Sequence, residues 1–232
     1  MTTFVLVHGA WHGGWCWQRV TPLLRASGHE VHTPTLTGLG ERAHLADIGV
    51  GLATHVADIV GVITAEGLRN IVLVGHSYGG FVVRGVADRV GDAIATLVYL
   101  DAFVPDDGKS LIDYVPAERR AAFEQMGKAK GAFDPQPLEP FGVTKSQDLA
   151  WANPKLRPQP FATFVEPLKL SGAPLAMKQV YIRCTDPAFP NFEGFAQRTK
   201  NDPRWAYAEV AGGHDSMISN PRGLADALLR LA

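Results

Sequence analysis

Short unbroken apolar runs, each closed by a polar or glycine-rich turn, set the rhythm of this 232-residue chain. Residues 4–7 (Phe-Val-Leu-Val), 71–74 (Ile-Val-Leu-Val) and 95–102 (Ala-Thr-Leu-Val-Tyr-Leu-Asp-Ala) are rich in β-forming side chains. They read as strands buried on both faces. Residues 30–36, 179–184 and 205–210 complete a set of about six strands. Between them the apolar positions change period. Val56, Ile59, Val60 and Ile63 recur at helical spacing within 52–67, and Val82, Val83, Val86 and Val90 do so after the third strand. Further helices are expected from about Trp17 through Leu24 to the Ser27-Gly28 stop, over 192–200, and after Asn220-Pro221, where proline suits the first turn. Strand and helix in alternation predict an α/β fold, a mostly parallel sheet with helices on both faces.

The alternation breaks once. Residues 104–178 contain no clear strand and carry ten prolines, from Pro105 to Pro174, among scattered large apolar residues such as Tyr114, Phe123, Phe141 and Phe164. Short helices are expected near 116–126 and 146–152. A stretch of this length without sheet reads as a functional insertion. It leaves the C-terminal end of a strand, where ligands bind in such sheets. The expected organisation is therefore a core of residues 1–103 and 179–232 with a helical cap, 104–178, over the site.

Composition narrows the function. Hydrophobic content of 46%, charged content of 19% and a net charge of −1 describe an ordinary globular chain. Without a basic run, nucleic acid and acidic membrane surfaces are not expected partners. No apolar run is long enough to span a bilayer. The chain enters its first strand directly after Met1-Thr2-Thr3, without a basic n-region. Cys16 and Cys184 share no metal-ligand spacing and are expected as free thiols. A cytoplasmic location follows as the expectation. Oligomeric state, monomer or homodimer, is left open.

The candidate chemistry begins at Gly75-His76-Ser77-Tyr78-Gly79, between a buried strand and a helix. A sharp turn there would leave Ser77 exposed at its apex, with small residues on either side to let backbones pass. Serine needs a histidine to take its proton and a carboxylate to orient that histidine. His214 follows the last strand in Gly212-Gly213-His214 and would reach the same rim as Ser77. Two aspartates compete for the third role. Asp101 ends the nearly apolar Tyr99-Leu100-Asp101-Ala102, where a carboxylate is costly unless paired. Asp186 follows the strand after the cap, but could simply start a turn with Pro187. Asp101 is the first choice and Asp186 the alternative, with Asp215 and Glu193 behind them. The backbone amides of Ala10, in the loop after the first strand, and of Tyr78 could converge on a developing oxyanion. Trp11 and Phe103 are candidate substrate contacts. His8, His12 and His76 are expected to shape loops by bonding backbone, since no acidic or thiolate ligand accompanies them for a metal.

These motifs carry a resemblance. Residues 4–15 (Phe-Val-Leu-Val-His-Gly-Ala-Trp-His-Gly-Gly-Trp), 74–80 and 212–214 resemble the α/β-hydrolase superfamily. Within it they look like the plant methylesterase and hydroxynitrile lyase group and its bacterial esterase relatives. The resemblance implies a Ser-His-Asp esterase with a helical cap and no cofactor, and the expected function is a carboxylesterase acting on small, largely apolar or aromatic esters. Lyases of the group have threonine after the first-strand histidine and lysine after the catalytic one. Gly9 and Asp215 stand there instead, which argues against cyanohydrin cleavage. The group's usual acid follows the strand after the cap, near Asp186, whereas Tyr99-Leu100-Asp101-Ala102 looks like the acid-bearing strand end of some haloalkane dehalogenases. Serine at position 77 argues against dehalogenase or epoxide hydrolase chemistry. A lyase or C–C bond hydrolase on the same triad, or a weakly catalytic receptor, are the other readings.

Overall fold

A computed structural model describes residues 1–47 and 49–232. Six parallel strands form one sheet: β1 (Thr3–Val7), β2 (Glu30–His32), β3 (Ile71–His76), β4 (Ile94–Leu100), β7 (Lys178–Cys184) and β8 (Trp205–Val210), in the order β2-β1-β3-β4-β7-β8. The remaining strands, β5 (Ala132–Phe133) and β6 (Gln159–Pro160), pair antiparallel as a two-residue ribbon within 104–178, where no strand was expected.

Period-two alternation sorts each central strand onto two faces. Val5, Val7, Ile71, Leu73, Leu97, Tyr99 and Tyr181 pack with the helices α2 (Leu52–Ala65) and α3 (Gly79–Val90) in one core layer. Phe4, Leu6, Val72, Val74, Val98, Leu100, Val180 and Ile182 pack on the other side, with α1 (Thr21–Ala26) and α9 (Pro221–Leu229). Being buried from both sides is why these strands read as continuous apolar runs rather than alternating ones.

Two expected elements are shorter than their apolar pattern. The helix anticipated from Trp17 is instead a tight turn, Gly14–Trp17, followed by α1. Pro22 lacks the N–H that a continuous helix would need there. The strand expected over 30–36 stops at His32, ahead of Pro34, at the sheet edge.

Topology positions the site. The chain runs from β1 out to the edge strand β2, then returns to the opposite side of β1 as β3. Strand order reverses there, and a crevice opens at the C-terminal ends of β1 and β3. Residues 104–178 lie between β4 and β7. Their helices are α4 (Ala117–Lys130), α5 (Ser146–Ala152) and α6 (Ala162–Val165). The helix α7 (Glu193–Lys200) joins β7 to β8, and a single turn, α8 (Ser216–Ser219), follows His214.

Candidate active site

Among the described residues, three of the four non-glycine residues with positive φ lie at strand ends that meet here: Trp11 (φ 65°) beyond β1, Ser77 (φ 54°) beyond β3 and Asp101 (φ 39°) beyond β4. Left-handed backbone at such side chains costs about 1–3 kcal/mol each and persists only where surrounding bonds fix it. Ser77 is fixed on both sides. Its N–H donates to Leu100 O (3.3 Å), and its carbonyl accepts from Gly80 N (3.1 Å) and Phe103 N (3.3 Å). The turn also needs bare glycines. A Cβ on Gly75 would lie 2.6 Å from Gly79 O, and one on Gly79 would lie 2.9 Å from His8 O.

Asp101 is fully buried and His214 is 4% exposed. His214 Nδ1–H donates to Asp101 Oδ2 at 2.8 Å. With its proton held on Nδ1, the ring's Nε2 keeps a lone pair, and no described residue bonds it. The other carboxylate oxygen of Asp101 accepts from Arg183 Nη1 (2.6 Å) and Cys184 N (3.3 Å). These donors meet the cost of burying the charge. Asp186 is elsewhere. Its side chain is exposed, its N–H donates to Gly212 O (3.0 Å), and a cis bond joins it to Pro187. Among the described residues, its carboxylate has no bond to His214. Asp215 also makes no bond to the His214 ring, and Glu193 contacts Arg183 instead (3.3 Å).

The first loop is shaped by its histidines. His8 Nε2 accepts from Leu36 N (3.1 Å), so Nδ1 carries the proton and donates to Gly9 O (2.8 Å). His12 Nδ1 donates to Ala10 O (2.7 Å). His76 Nε2 donates to the backbone carbonyl of His214 (3.0 Å), and the two rings sit 4.5 Å apart. Burial pushes His8 down to about 3 and His76 well below the usual histidine range, with His214 adding to the effect on His76. Asp215, 1% exposed, lies 3.6 Å from His12 Nε2 and 3.7 Å from His76 Nε2, with neither oxygen hydrogen-bonded among the described residues. No group of three or more described His, Cys, Asp or Glu side chains is placed to hold a metal ion.

A cavity of about 670 Å³ opens above these groups, and Ala10, Trp11, Ser77, Tyr78, Phe103 and His214 all line it. The amides of Ala10 and Tyr78 have no acceptor among the described residues, so both are free for a ligand. The Tyr78 ring is fixed by its hydroxyl, which donates to His55 Nδ1 (3.0 Å). His214 is walled by aromatic rings, with Phe192 stacked at 4.8 Å and Phe189 at 5.2 Å. Sequence reasoning missed Arg183 and these phenylalanines. An arginine within the apolar end of β7, residues 180–184, was the available signal for the first. The rings carry no signal of their own in a segment rich in phenylalanine.

The arrangement can bind an acyl group, take a proton from Ser77 and steady negative charge at two amides. The model of the alpha/beta hydrolase family matches residues 4–227. A carbendazim hydrolyzing esterase from Nocardioides sp. (strain SG-4G) is 45% identical, with 100% of both chains covered. Esterase PIR7B of Oryza sativa subsp. japonica is 31% identical over 99% of this chain and 95% of its own. Among solved structures, an extracellular alpha/beta-hydrolase from a Paenibacillus species superposes with a TM-score of 0.86 at 26% identity, covering 99% of this chain and 98% of its own. No described helix is long and apolar enough to cross a membrane. By fold, by site geometry and by relatives that span it end to end, the chain belongs to the α/β-hydrolase family, among its esterases.

Proposed function

We propose that the chain is a serine carboxylesterase for small esters with apolar or aromatic groups, using Ser77 as nucleophile, His214 as base and Asp101 as the orienting acid. The 2.8 Å bond from His214 Nδ1 to the buried Asp101 carboxylate carries this reading, because it leaves Nε2 bare on a ring that faces the same cavity as Ser77. Ser77 Oγ attacks the ester carbonyl as its proton passes to His214 Nε2. The carbonyl π electrons move onto oxygen, which the amides of Ala10 and Tyr78 receive. Collapse expels the alkoxide, which takes the proton from Nε2. Water then repeats the sequence on the acyl-enzyme, releasing the acid and restoring Ser77. Asp101 holds the tautomer and offsets the imidazolium charge in both halves. One oxyanion donor typically contributes about 3 kcal/mol of transition-state stabilisation.

Residues 104–178 act as the cap. They supply Leu111, Tyr114, Phe123 and Phe164 to the cavity, which favours apolar or aromatic substrates. Trp11 and Phe103 complete the wall beside Ser77. The free, buried Cys16 and Cys184 support a reducing compartment, the cytoplasm. Rapid-mixing hydrolysis of p-nitrophenyl acetate tests the mechanism, with methyl phenylacetate and carbendazim as further substrates in the panel. A nitrophenol burst equal to the enzyme concentration, with an acetyl group on the peptide containing Ser77, is expected. Turnover with no burst and no adduct on that peptide after acid quench contradicts it.

A further inference from the structure

The Ala10 amide can serve an oxyanion only while its loop holds one conformation, and the residue that follows it is strained. Trp11 has φ 65°, a region open to glycine but costly for tryptophan. Every polar group of Trp11 is bonded to the cap. Its N–H donates to Gln159 Oε1 (3.1 Å), its indole N–H donates to Phe133 O (3.1 Å), and its carbonyl accepts from Arg157 N (2.9 Å). Phe133 and Gln159 are paired with each other across the β5–β6 ribbon.

Gln159 is fully buried, and the orientation of its amide is determined. Thr163 Oγ1 gives its proton to Pro160 O (2.6 Å), so it can only accept from Gln159 Nε2 (2.8 Å). That leaves Oε1 facing Trp11 N. The Ala10–Trp11 peptide is thereby held at both ends, its N–H by Gln159 and its carbonyl by His12 Nδ1 (2.7 Å). The preceding peptide, which carries the Ala10 N–H, is held at its carbonyl by His8 Nδ1 (2.8 Å). The histidines belong to the loop itself. Among the described residues, Gln159 is the side chain of 104–178 that hydrogen-bonds the loop's backbone.

We infer that Gln159 is a positioning residue for the oxyanion site: the cap's ribbon clamps Trp11 in its left-handed conformation and so aims the Ala10 amide at the reacting carbonyl. The inference rests on the esterase reading above. It makes catalytic power depend on the cap's seating, beyond the cap's part in forming the cavity walls. Such a clamp acts on the transition state and not on the planar substrate, because only the tetrahedral oxygen reaches the amides.

The test compares wild type with Gln159→Leu, which keeps the bulk and removes the acceptor. A displaced donor should cost ~10–100-fold in kcat, less than outright loss of one, with KM within about 3-fold. Inhibition by an aryl trifluoromethyl ketone, which forms a tetrahedral adduct, should weaken in proportion, while inhibition by phenylacetate, a planar product, stays unchanged. If Gln159→Leu does not fold, Gln159→Asn stands in for it, since its oxygen falls one methylene short, and the same split is expected. Unchanged kcat, or equal losses toward ketone and phenylacetate, overturns the clamp and leaves Gln159 as packing. Failure of the wild type to form an acyl adduct at Ser77 is a separate result that removes the Ser77 mechanism on which the inference rests.

Discussion

Asp101 shows how much one residue can be asked to do. Its backbone is left-handed, its side chain is sealed from solvent, and three donors converge on it: His214 Nδ1, Arg183 Nη1 and Cys184 N. Arg183 and the backbone amide fix one carboxylate oxygen in place, so that the second is left for histidine. Asp101→Asn would present an NH₂ group or a weaker acceptor to Nδ1, favouring the tautomer with the proton on Nε2. The kcat for p-nitrophenyl acetate is expected to fall by ~10⁴ with the circular dichroism spectrum unchanged. Asp186→Asn, at an exposed turn, should stay within about 3-fold of wild type. Comparable losses in the two variants contradict the assignment. The cost of a carboxylate at an apolar strand end made Asp101 legible in the sequence. The arginine that shares that cost was not, because nothing in Val180-Tyr181-Ile182-Arg183-Cys184 says which neighbouring strand it faces.

At the scale of elements, the junction of β3, its turn and α3 is the most constrained part of the core. The first turn of α3 lies directly on the chain leaving β4: a Cβ on Gly80 would come within 2.0 Å of Phe103 O. That contact belongs to backbone, which cannot swing aside as a side-chain end can. Gly80→Ala should therefore push residue 103 away and strain its bond to Ser77 O, destabilising the fold by about 2–3 kcal/mol. Thermal unfolding should move down by roughly 4–12 °C for a chain of this size, and an unshifted midpoint contradicts the packing argument. The same junction was readable beforehand because burial on both faces, a Gly-x-Ser-x-Gly spacing and a helical stripe all point to one structure. Boundaries were less readable where proline overrides an apolar pattern, as at Pro22 and Pro34. The β5–β6 ribbon was invisible for a different reason: two residues per strand are too few to establish a period, and the ribbon is held by tertiary bonds to Trp11.

For the whole molecule, the buried histidines couple stability to pH. Burial pushes His8 to about 3 and His55 to about 4, and lowers His76 as well, all from an ordinary value of 6.5. Between those values and 6.5 the unfolded chain holds protons that the native chain lacks, so lowering the pH favours unfolding. Each such histidine contributes about 1.4 kcal/mol per pH unit across its window. Their stabilisation is complete above pH 6.5 and is lost progressively as pH falls towards 4. Urea unfolding from pH 7 to 4.5 should steepen towards the slope of three protons; a flat profile would mean that these rings are not buried neutral. The place of the insertion between β4 and β7 was legible as a break in the strand–helix alternation. How its ribbon holds Trp11 was not, since that depends on bonds between residues 148 and 122 apart in the chain. The proposed chemistry begins at the hydroxyl of Ser77, so its removal is the most direct test. Ser77→Ala should fold with the wild-type spectrum and lose ~10⁵–10⁶-fold in kcat for p-nitrophenyl acetate; a folded variant that keeps wild-type turnover would contradict the account at its centre.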